Sequence, residues 1–137
     1  MSLTVRHMRF GWWLMLVSAA LGLALEAMNG FKLSWYLSVA NETRRLLLTL
    51  AHAHGVLLGL VNVVFAVSVR SIGAEEAPWA RRASPCLILA GVLLPSGFAL
   101  GSVVLYGADP GLGIALVPVG AVLLLAGLFL TARGVTR

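Results

Sequence analysis

Residues 46–69, LLLTLAHAHGVLLGLVNVVFAVSV, form an apolar run that contains no Asp, Glu, Lys or Arg. A helix of this length can cross roughly 30 Å of hydrocarbon, because an α-helix rises about 1.5 Å per residue. The run nevertheless carries His52, His54 and Asn62. Ionisable groups inside a membrane helix are energetically costly, so they mark a candidate functional site. This stretch predicts a transmembrane helix that carries a polar site.

Three more apolar segments of similar length occur along the chain. We predict four transmembrane helices, at approximately residues 10–31, 46–69, 84–107 and 111–132. The 137 residues are 60% hydrophobic and 11% charged, whereas a soluble domain has roughly 25% charged residues. Backbone polar groups cannot stay unpaired in lipid, and four segments are too few for a closed barrel. We therefore expect an all-α fold, a single integral membrane four-helix bundle over residues 1–137 with up-down-up-down topology.

Basic residues flank the predicted helices unevenly. Seven of the ten lie beside the termini or between the second and third helices: Arg6, Arg9, Arg70, Arg81, Arg82, Arg133 and Arg137. The other three, Lys32, Arg44 and Arg45, lie between the first and second helices. Basic residues collect in cytoplasmic loops, so we predict a multi-pass protein of the bacterial inner membrane with both termini cytoplasmic. The charges are scattered over helix ends, so the net charge of +5 indicates contact with the lipid bilayer and no nucleic-acid partner.

Several residues bear on the helix boundaries. The first helix follows Arg6 and Arg9 without a clear cleavage site, so we expect it to be retained. Segment 32–45 is too polar to span and is predicted to lie along the outer surface, with Asn41 as the N-cap of the second helix. Pro95 and Pro118 are predicted to kink the third and fourth helices. Interfacial aromatic residues are expected on the inner side (Trp12, Trp13, and Trp79 in the second connection) and on the outer side (Trp35, Tyr36 and Tyr106).

Polar residues of the first two predicted helices lie at a similar depth. The first helix runs outward and the second inward, which places Glu26 near the level of His52 and His54. Helices joined by a short connection are usually neighbours, and a pair of hydrogen-bonded polar groups is less costly in lipid than two separate ones. We therefore predict that Glu26 pairs with a histidine. The supporting residues predicted for this site are Asn29, Asn62 and Tyr106.

The spacing of the two histidines limits their chemistry. His52 and His54 are about 200° apart around a helix, so a regular helix cannot direct both at one ion. We expect one histidine to face Glu26 or a bound group, and the other to face a neighbouring helix or a second subunit. Gly55 and Gly59 form a G-x-x-x-G pattern on the side of His52. This pattern permits the close approach of a helix or of a flat ligand.

These residues leave several functional interpretations open. A haem b could lie against Gly55 and Gly59, with His52 or His54 as an axial ligand. A transition metal could be held by Glu26 together with His52 or His54. Glu26 and the histidines could instead form a proton relay. In the remaining interpretation the histidines only hydrogen-bond between helices of a non-catalytic membrane subunit or scaffold.

One stretch resembles known proteins. The residues Arg44-Arg45, His52-Ala53-His54-Gly55 and Gly59 resemble the histidine-bearing helix of haem-copper oxidase subunit I relatives, and also the AHAHG-type helix of small bacterial four-helix membrane proteins of unassigned function. This resemblance implies that one of the two histidines is an axial haem ligand. It favours haem or metal binding in electron transfer or in association with a respiratory complex. Homo-oligomers or a larger membrane complex are the expected assemblies.

Overall fold

The computed structural model describes residues 1–37 and 42–136. Its elements run in the order α1 (Leu3–Gly30), α2 (Ser34–Leu37), α3 (Glu42–Ser71), α4 (Pro78–Val103), a 3-10 helix (Leu112–Ala115) and α5 (Leu116–Val135). The expected all-helical fold is confirmed for the described residues. Four stretches there are long and apolar enough to cross a membrane: α1, α3, α4 and the 3-10 helix continued by α5.

Helices α1, α3 and α4 begin earlier than the apolar runs predict. The Ser2 side chain caps α1 by accepting a hydrogen bond of 3.3 Å from the Val5 N–H, so α1 starts at Leu3. Pro78 is the first residue of α4, a position where its missing N–H removes no helical hydrogen bond. The expectation that Trp79 lies in the connection is therefore wrong, because Trp79 belongs to the first turn of α4. The predicted N-cap Asn41 lies outside the described residues.

The two prolines expected to kink helices occupy different environments. Pro95 lies inside α4 and helps to line a cavity of about 270 Å³ between α1, α3 and α4. Pro118 is the third residue of α5. Residues in the first turn of a helix have no intrahelical partner for their N–H groups, so a proline there breaks no hydrogen bond. Pro118 thus lies in the first turn of α5, although the longer span formed by the 3-10 helix and α5 begins at Leu112, close to the predicted boundary.

Helices α3 and α4 form the centre of the molecule. α1 packs along α3 and touches α4, while α5 packs along α4. In the most apolar stretch of each span, 39% of the residues are buried in α3 and 44% in α4. The corresponding values are 17% in α1 and 11% in the last span. A buried cluster joins the two central helices through Phe65, Val69, Ala80, Ala83 and Leu87. The two flanking helices therefore expose most of their apolar surface.

The antiparallel helices give the molecule two ends. At the end that holds both termini, which we call the terminal end, the start of α1 meets the α3–α4 connection. There Glu75 accepts hydrogen bonds from the N–H groups of Leu3 (2.9 Å) and Thr4 (3.1 Å) and from the Thr4 hydroxyl. At the opposite end, the loop end, Thr43 Oγ1 donates to the Ala108 carbonyl oxygen over 2.7 Å. These contacts connect elements that are distant in sequence at each end.

Candidate functional site

His52 is directed from α3 toward the backbone of α1. Its Nδ1 lies 2.7 Å from the carbonyl oxygen of Ser18. A carbonyl only accepts hydrogen bonds, so Nδ1 carries the proton, and in the neutral ring Nε2 carries the lone pair. Gly22 provides the space for this arrangement, because a Cβ there would collide with the imidazole. His52 is therefore held in one tautomer by a helix-to-helix hydrogen bond.

His52 also lines an open cleft of about 370 Å³, which we call the loop-end cleft. Its lining residues are Gly22, Leu25, Glu26, Asn29, Tyr36, Arg45, Thr49 and His52. The structure thus brings together Glu26, Asn29 and His52 of the predicted site. In the part of the chain that is described, no hydrogen bond or ion pair joins Glu26 to His52. The cleft offers one carboxylate, one imidazole and one guanidinium around the same space.

His54 points in a different direction from His52. Its Nδ1 lies 2.9 Å from the carbonyl oxygen of Leu50 in the same helix. Its ring packs against Phe98 of α4, with ring centroids 4.9 Å apart. The wide angle between positions two residues apart in a helix accounts for this separation. His54 is thus placed on the α4 side of α3, and His52 on the α1 side.

The glycine pattern of α3 packs directly against α1. A Cβ on Gly59 would lie 2.5 Å from Met15 Cγ and 2.8 Å from the Gly11 carbonyl oxygen. A Cβ on Gly55 would overlap the Ser18 hydroxyl. Small residues of this kind let two helix backbones approach closely. The surface of Gly55 and Gly59 is therefore occupied by a helix of the same chain, which leaves no room there for a flat ligand.

A second polar cluster, which the sequence analysis missed, lies at the terminal end around His7. The His7 side chain is completely buried. Its Nδ1 lies 2.7 Å from Asn62 Oδ1 and its Nε2 lies 2.8 Å from Ser84 Oγ. Asn62 Nδ2 donates to the carbonyl oxygens of Leu58 (2.8 Å) and Leu87 (3.4 Å). We call His7, Asn62 and Ser84 the His7 cluster.

The direction of each hydrogen bond in the His7 cluster can be assigned. Because Asn62 uses its amide N–H groups on carbonyls, its Oδ1 is the acceptor and His7 Nδ1 donates. His7 Nε2 then accepts from the Ser84 hydroxyl, whose oxygen accepts in turn from Arg6. Buried polar groups that all have partners cost little, and among the described residues no buried side-chain nitrogen or oxygen lacks one. The cluster connects α1, α3 and α4.

The position of Asn62 differs from the predicted site. It lies ten residues beyond His52 on α3, about 15 Å along the helix axis, and it contacts His7 instead. His7 itself falls before residue 10, where the first predicted helix begins, so the predicted bundle did not include it. The sequence signal for an earlier helix start is Ser2, a favoured N-cap residue, which caps α1 so that the helix begins at Leu3 and includes His7. Ser84 gave no signal, because a serine in an apolar helix has no distinctive spacing.

The remaining candidate ligands do not converge. Tyr106 is 58% exposed in the α4–α5 connection, where its backbone pairs with that of Asp109 (3.1 Å in each direction). Cys86 is a partly buried free cysteine of α4. Within residues 1–37 and 42–136, no three His, Cys, Asp or Glu side chains are grouped so that they could hold one metal ion. Among the described residues, the only His, Cys, Asp or Glu side chains that line the loop-end cleft are Glu26 and His52.

A comparison with known protein families, curated proteins and solved structures found no match to this chain.

Proposed function

We propose that the chain is a non-catalytic, multi-pass subunit or scaffold of the bacterial inner membrane, with both termini in the cytoplasm. The four long apolar helices support membrane insertion. The charge distribution supports the orientation, because the described basic residues at the terminal end are Arg6, Arg9, Arg70, Arg81, Arg82 and Arg133, against Lys32, Arg44 and Arg45 at the loop end. Basic residues favour the cytoplasmic side of the membrane.

The main support for the scaffold function is that ring nitrogens of the histidines form hydrogen bonds with atoms of the same helical bundle. Both nitrogens of His7 are engaged, and Nδ1 of His52 binds the backbone of α1. Interhelical hydrogen bonds in membranes contribute about 0.6 kcal/mol on average and up to about 2 kcal/mol. Together with the closed glycine contact between α1 and α3, they hold the helices in one arrangement. A fixed arrangement is what a scaffold presents to its partners.

Membrane insertion is tested by alkaline carbonate extraction of membranes from cells that produce the full chain. We expect the protein to stay in the pellet, because four apolar helices cannot leave the hydrocarbon without exposing their side chains to water. Recovery of the protein in the supernatant would show that it is not integral. This experiment does not depend on whether the protein binds any cofactor.

Absorption spectroscopy and metal analysis of the detergent-purified protein test the scaffold function against haem binding. A scaffold is expected to be colourless, to contain far less than one equivalent of metal, and to keep its α-helical circular dichroism. A Soret band in the wild-type protein that disappears in both His52→Ala and His54→Ala would overturn the scaffold proposal in favour of a haem protein. The Gly55 and Gly59 surface then could not be the haem site without displacement of α1.

A second candidate function, binding of a transition-metal ion in the loop-end cleft, is favoured by the geometry of His52. A histidine that ligates a metal usually donates its other ring N–H to a carbonyl or carboxylate. His52 donates from Nδ1 to the Ser18 carbonyl, and it shares the cleft with the Glu26 carboxylate. Imidazole and carboxylate together suit Zn²⁺ or Cu²⁺. Asn29 and Thr49 add oxygen atoms at the same cleft.

Calorimetric titration of the purified protein with Zn²⁺ distinguishes this candidate. Saturable binding of one ion, weakened at least tenfold in both His52→Ala and Glu26→Gln, would support it. His54→Ala is the matched control, because His54 faces Phe98 on the other side of α3. Absence of saturable binding, or equal weakening in the control, would reject the candidate and leave the scaffold function in place.

A further inference from the structure

The terminal end carries a cleft between α4 and α5 that the scaffold function does not explain. It has a volume of about 450 Å³ and is lined by Pro78, Trp79, Arg82, Leu130, Arg133 and Gly134. We call it the α4–α5 cleft. Two guanidinium groups and three apolar side chains therefore face the same space. A cleft lined by both cationic and apolar side chains suits a ligand that has an anionic head group and an apolar portion.

No acidic residue is among the described residues that line the α4–α5 cleft beside its two arginines. Arg82 and Arg133 form no hydrogen bond or ion pair with another described residue. Two like charges around one cleft repel each other, and an anion between them would remove that repulsion. A planar guanidinium binds phosphate oxygens through paired N–H groups, which makes arginine well suited to phosphate. The cleft thus has the electrostatics of a phosphate site.

The acidic residues of the same connection are directed elsewhere. Glu75 binds the first turn of α1 through Leu3 and Thr4. Glu76 pairs with Arg81 over 3.4 Å. Both carboxylates line a separate cavity beside α1, not the α4–α5 cleft. The negative charge of the α3–α4 connection is therefore kept on the α1 side, and the α5 side stays cationic.

The start of α4 adds to the positive potential of the α4–α5 cleft. Its N-cap residue Ala77 provides no side-chain hydrogen bond, and its first turn contains no acidic residue. The N–H groups at the N-terminus of a helix carry a partial positive charge and favour an anion. Pro78 and Trp79, the first two residues of α4, are also residues of the cleft wall. The helix end and the two arginines therefore act on the same volume.

The apolar side of the cleft is built by Trp79. Its indole ring lies against Gly134 of α5, where any Cβ would overlap the ring. The ring also meets Phe65 edge-on, with centroids 6.4 Å apart. Tryptophan prefers the boundary between hydrocarbon and head groups. Trp79 and Leu130 thus offer an apolar surface at the depth where a lipid changes from head group to acyl chain.

We propose that the α4–α5 cleft binds the phosphate head group of an anionic phospholipid, with Arg82 and Arg133 on the phosphate and Trp79 and Leu130 against the glycerol and upper acyl chain. Basic pockets between helices on the cytoplasmic side are the usual sites for such lipids. The proposal rests on the proposed membrane placement. It assigns to this end of the molecule a lipid partner that the scaffold function does not require.

Lipid titration of the full-length protein in detergent, followed by native mass spectrometry, tests the proposal. The probe is dioleoyl phosphatidylglycerol, with dioleoyl phosphatidylcholine as the neutral lipid. Wild-type protein is expected to bind phosphatidylglycerol at least tenfold more tightly. Removal of each arginine is expected to weaken binding about fivefold, which corresponds to about 1 kcal/mol for each basic residue near an anionic lipid.

The decisive variant is Arg82→Gln with Arg133→Gln, and its matched control is Arg9→Gln with Arg81→Gln. The control removes the same charge from the terminal end but not from the α4–α5 cleft. We expect the control to change the affinity for phosphatidylglycerol less than twofold. Equal affinities of the wild-type protein and the Arg82 and Arg133 variant, or equal losses in the two double variants, would overturn the proposal.

Two further measurements distinguish a loss of lipid binding from a folding defect, and a lipid site from a site for soluble phosphate. The double replacement Arg82→Lys with Arg133→Lys keeps the charge but loses the paired N–H groups, so its preference for phosphatidylglycerol should lie between those of the wild-type protein and the glutamine variant. A lysine variant without any preference would overturn the electrostatic basis of the proposal. Glycerol 1-phosphate carries the head group without acyl chains, and we expect millimolar concentrations not to displace the lipid. Displacement would show a site for soluble phosphate and reject the lipid. If the protein resists carbonate extraction but has no lipid preference, only this proposal fails.

Discussion

At the scale of single residues, the His7 cluster shows how a membrane bundle can bury several polar atoms. Asn62 accepts from His7 and donates to backbone carbonyls of α3 and α4, and its side chain is fully buried. An unpaired buried donor costs about 1–3 kcal/mol, whereas a paired one contributes about 1 kcal/mol. Loss of one member of the cluster therefore affects stability chiefly through the partner that is left unpaired.

We predict that Asn62→Ala lowers the free energy of unfolding by about 1–3 kcal/mol, because His7 Nδ1 loses its acceptor. The measurement is reversible unfolding of the purified protein in mixed micelles. Asn29→Ala is the control, since Asn29 is exposed in the loop-end cleft and a surface substitution changes stability by about 0.5 kcal/mol or less. Similar values for the two variants would contradict a stabilising role of the His7 cluster.

Glu75 is the residue for which the structure predicts a pH dependence. The hydrogen bond from the Thr4 hydroxyl, aided by the N–H groups of Thr4 and Leu3, holds the pKa of Glu75 below its ordinary value of 4.5. A carboxyl group with a lowered pKa in the folded state stabilises the fold above its unfolded pKa. That contribution is lost as the pH falls through the folded pKa.

We therefore expect Glu75→Gln to be less stable than the wild-type protein by a constant amount from pH 7 to about pH 5, with the difference shrinking below pH 4.5. Unfolding curves measured across this range provide the comparison. Glu76→Gln is the matched control, because Glu76 takes part only in an exposed ion pair and such pairs contribute about 0–1 kcal/mol. A pH-independent difference for Glu75→Gln would reject the role of the carboxylate charge.

At the scale of elements, the α1–α3 contact depends on the absence of side chains. Gly11 and Gly59 face each other, such that a Cβ on Gly11 would lie 2.6 Å from the Gly59 carbonyl oxygen. Ser18 faces Gly55 in the same way, seven residues after Gly11 on α1 and four residues before Gly59 on the antiparallel α3. Tight contact replaces hydrophobic burial as the source of helix association in lipid. A side chain added at one of these glycines must therefore separate the two helices or shift neighbouring side chains.

We predict that Gly59→Ala destabilises the protein by about 1–3 kcal/mol, as expected for overpacking. Gly30→Ala is the control at the other end of α1, where a Cβ would meet nothing within 4 Å. That change should be neutral or stabilising by about 0.4–1 kcal/mol, because alanine loses less backbone entropy on folding. The same unfolding measurement applies to both variants. An unchanged free energy of unfolding for Gly59→Ala would show that α1 and α3 are not packed this closely.

At the scale of the whole molecule, the antiparallel helices put the C-terminal end of α3 and the α4–α5 connection on opposite sides. Ser71 ends α3 at the terminal end, and Asp109 lies in the connection at the loop end. Single cysteines at these positions, in a Cys86→Ala background, should react with a membrane-impermeant maleimide from opposite sides. We expect labelling at position 109 in intact cells and at position 71 only after the membrane is opened. Labelling of both from the same side would contradict the four-span arrangement.

The all-helical fold class and the approximate location of the four long helices could be predicted from the sequence alone. These depend on the local density of apolar residues, and local density can be counted along the chain. The different directions of the His52 and His54 side chains could also be predicted, because they follow from the helical period alone. The helix ends were less well determined, since Ser2 and Pro78 extend helices beyond the apolar runs.

The contacts between polar residues of different helices could not be predicted in this way, because they depend on tertiary packing. The contact of His7 with Asn62 and Ser84 joins three helices, so it depends on how far each helix is rotated and shifted against its neighbours. Helix rotation also turns Gly55 and Gly59 of α3 toward α1, and it places Arg82 of α4 and Arg133 of α5 on the wall of one cleft. Hydropathy is a property of each segment separately, whereas rotation and offset follow from the packing of small side chains between segments. For this reason the sequence predicted a helical bundle, and the structure located the His7 cluster, the loop-end cleft and the α4–α5 cleft.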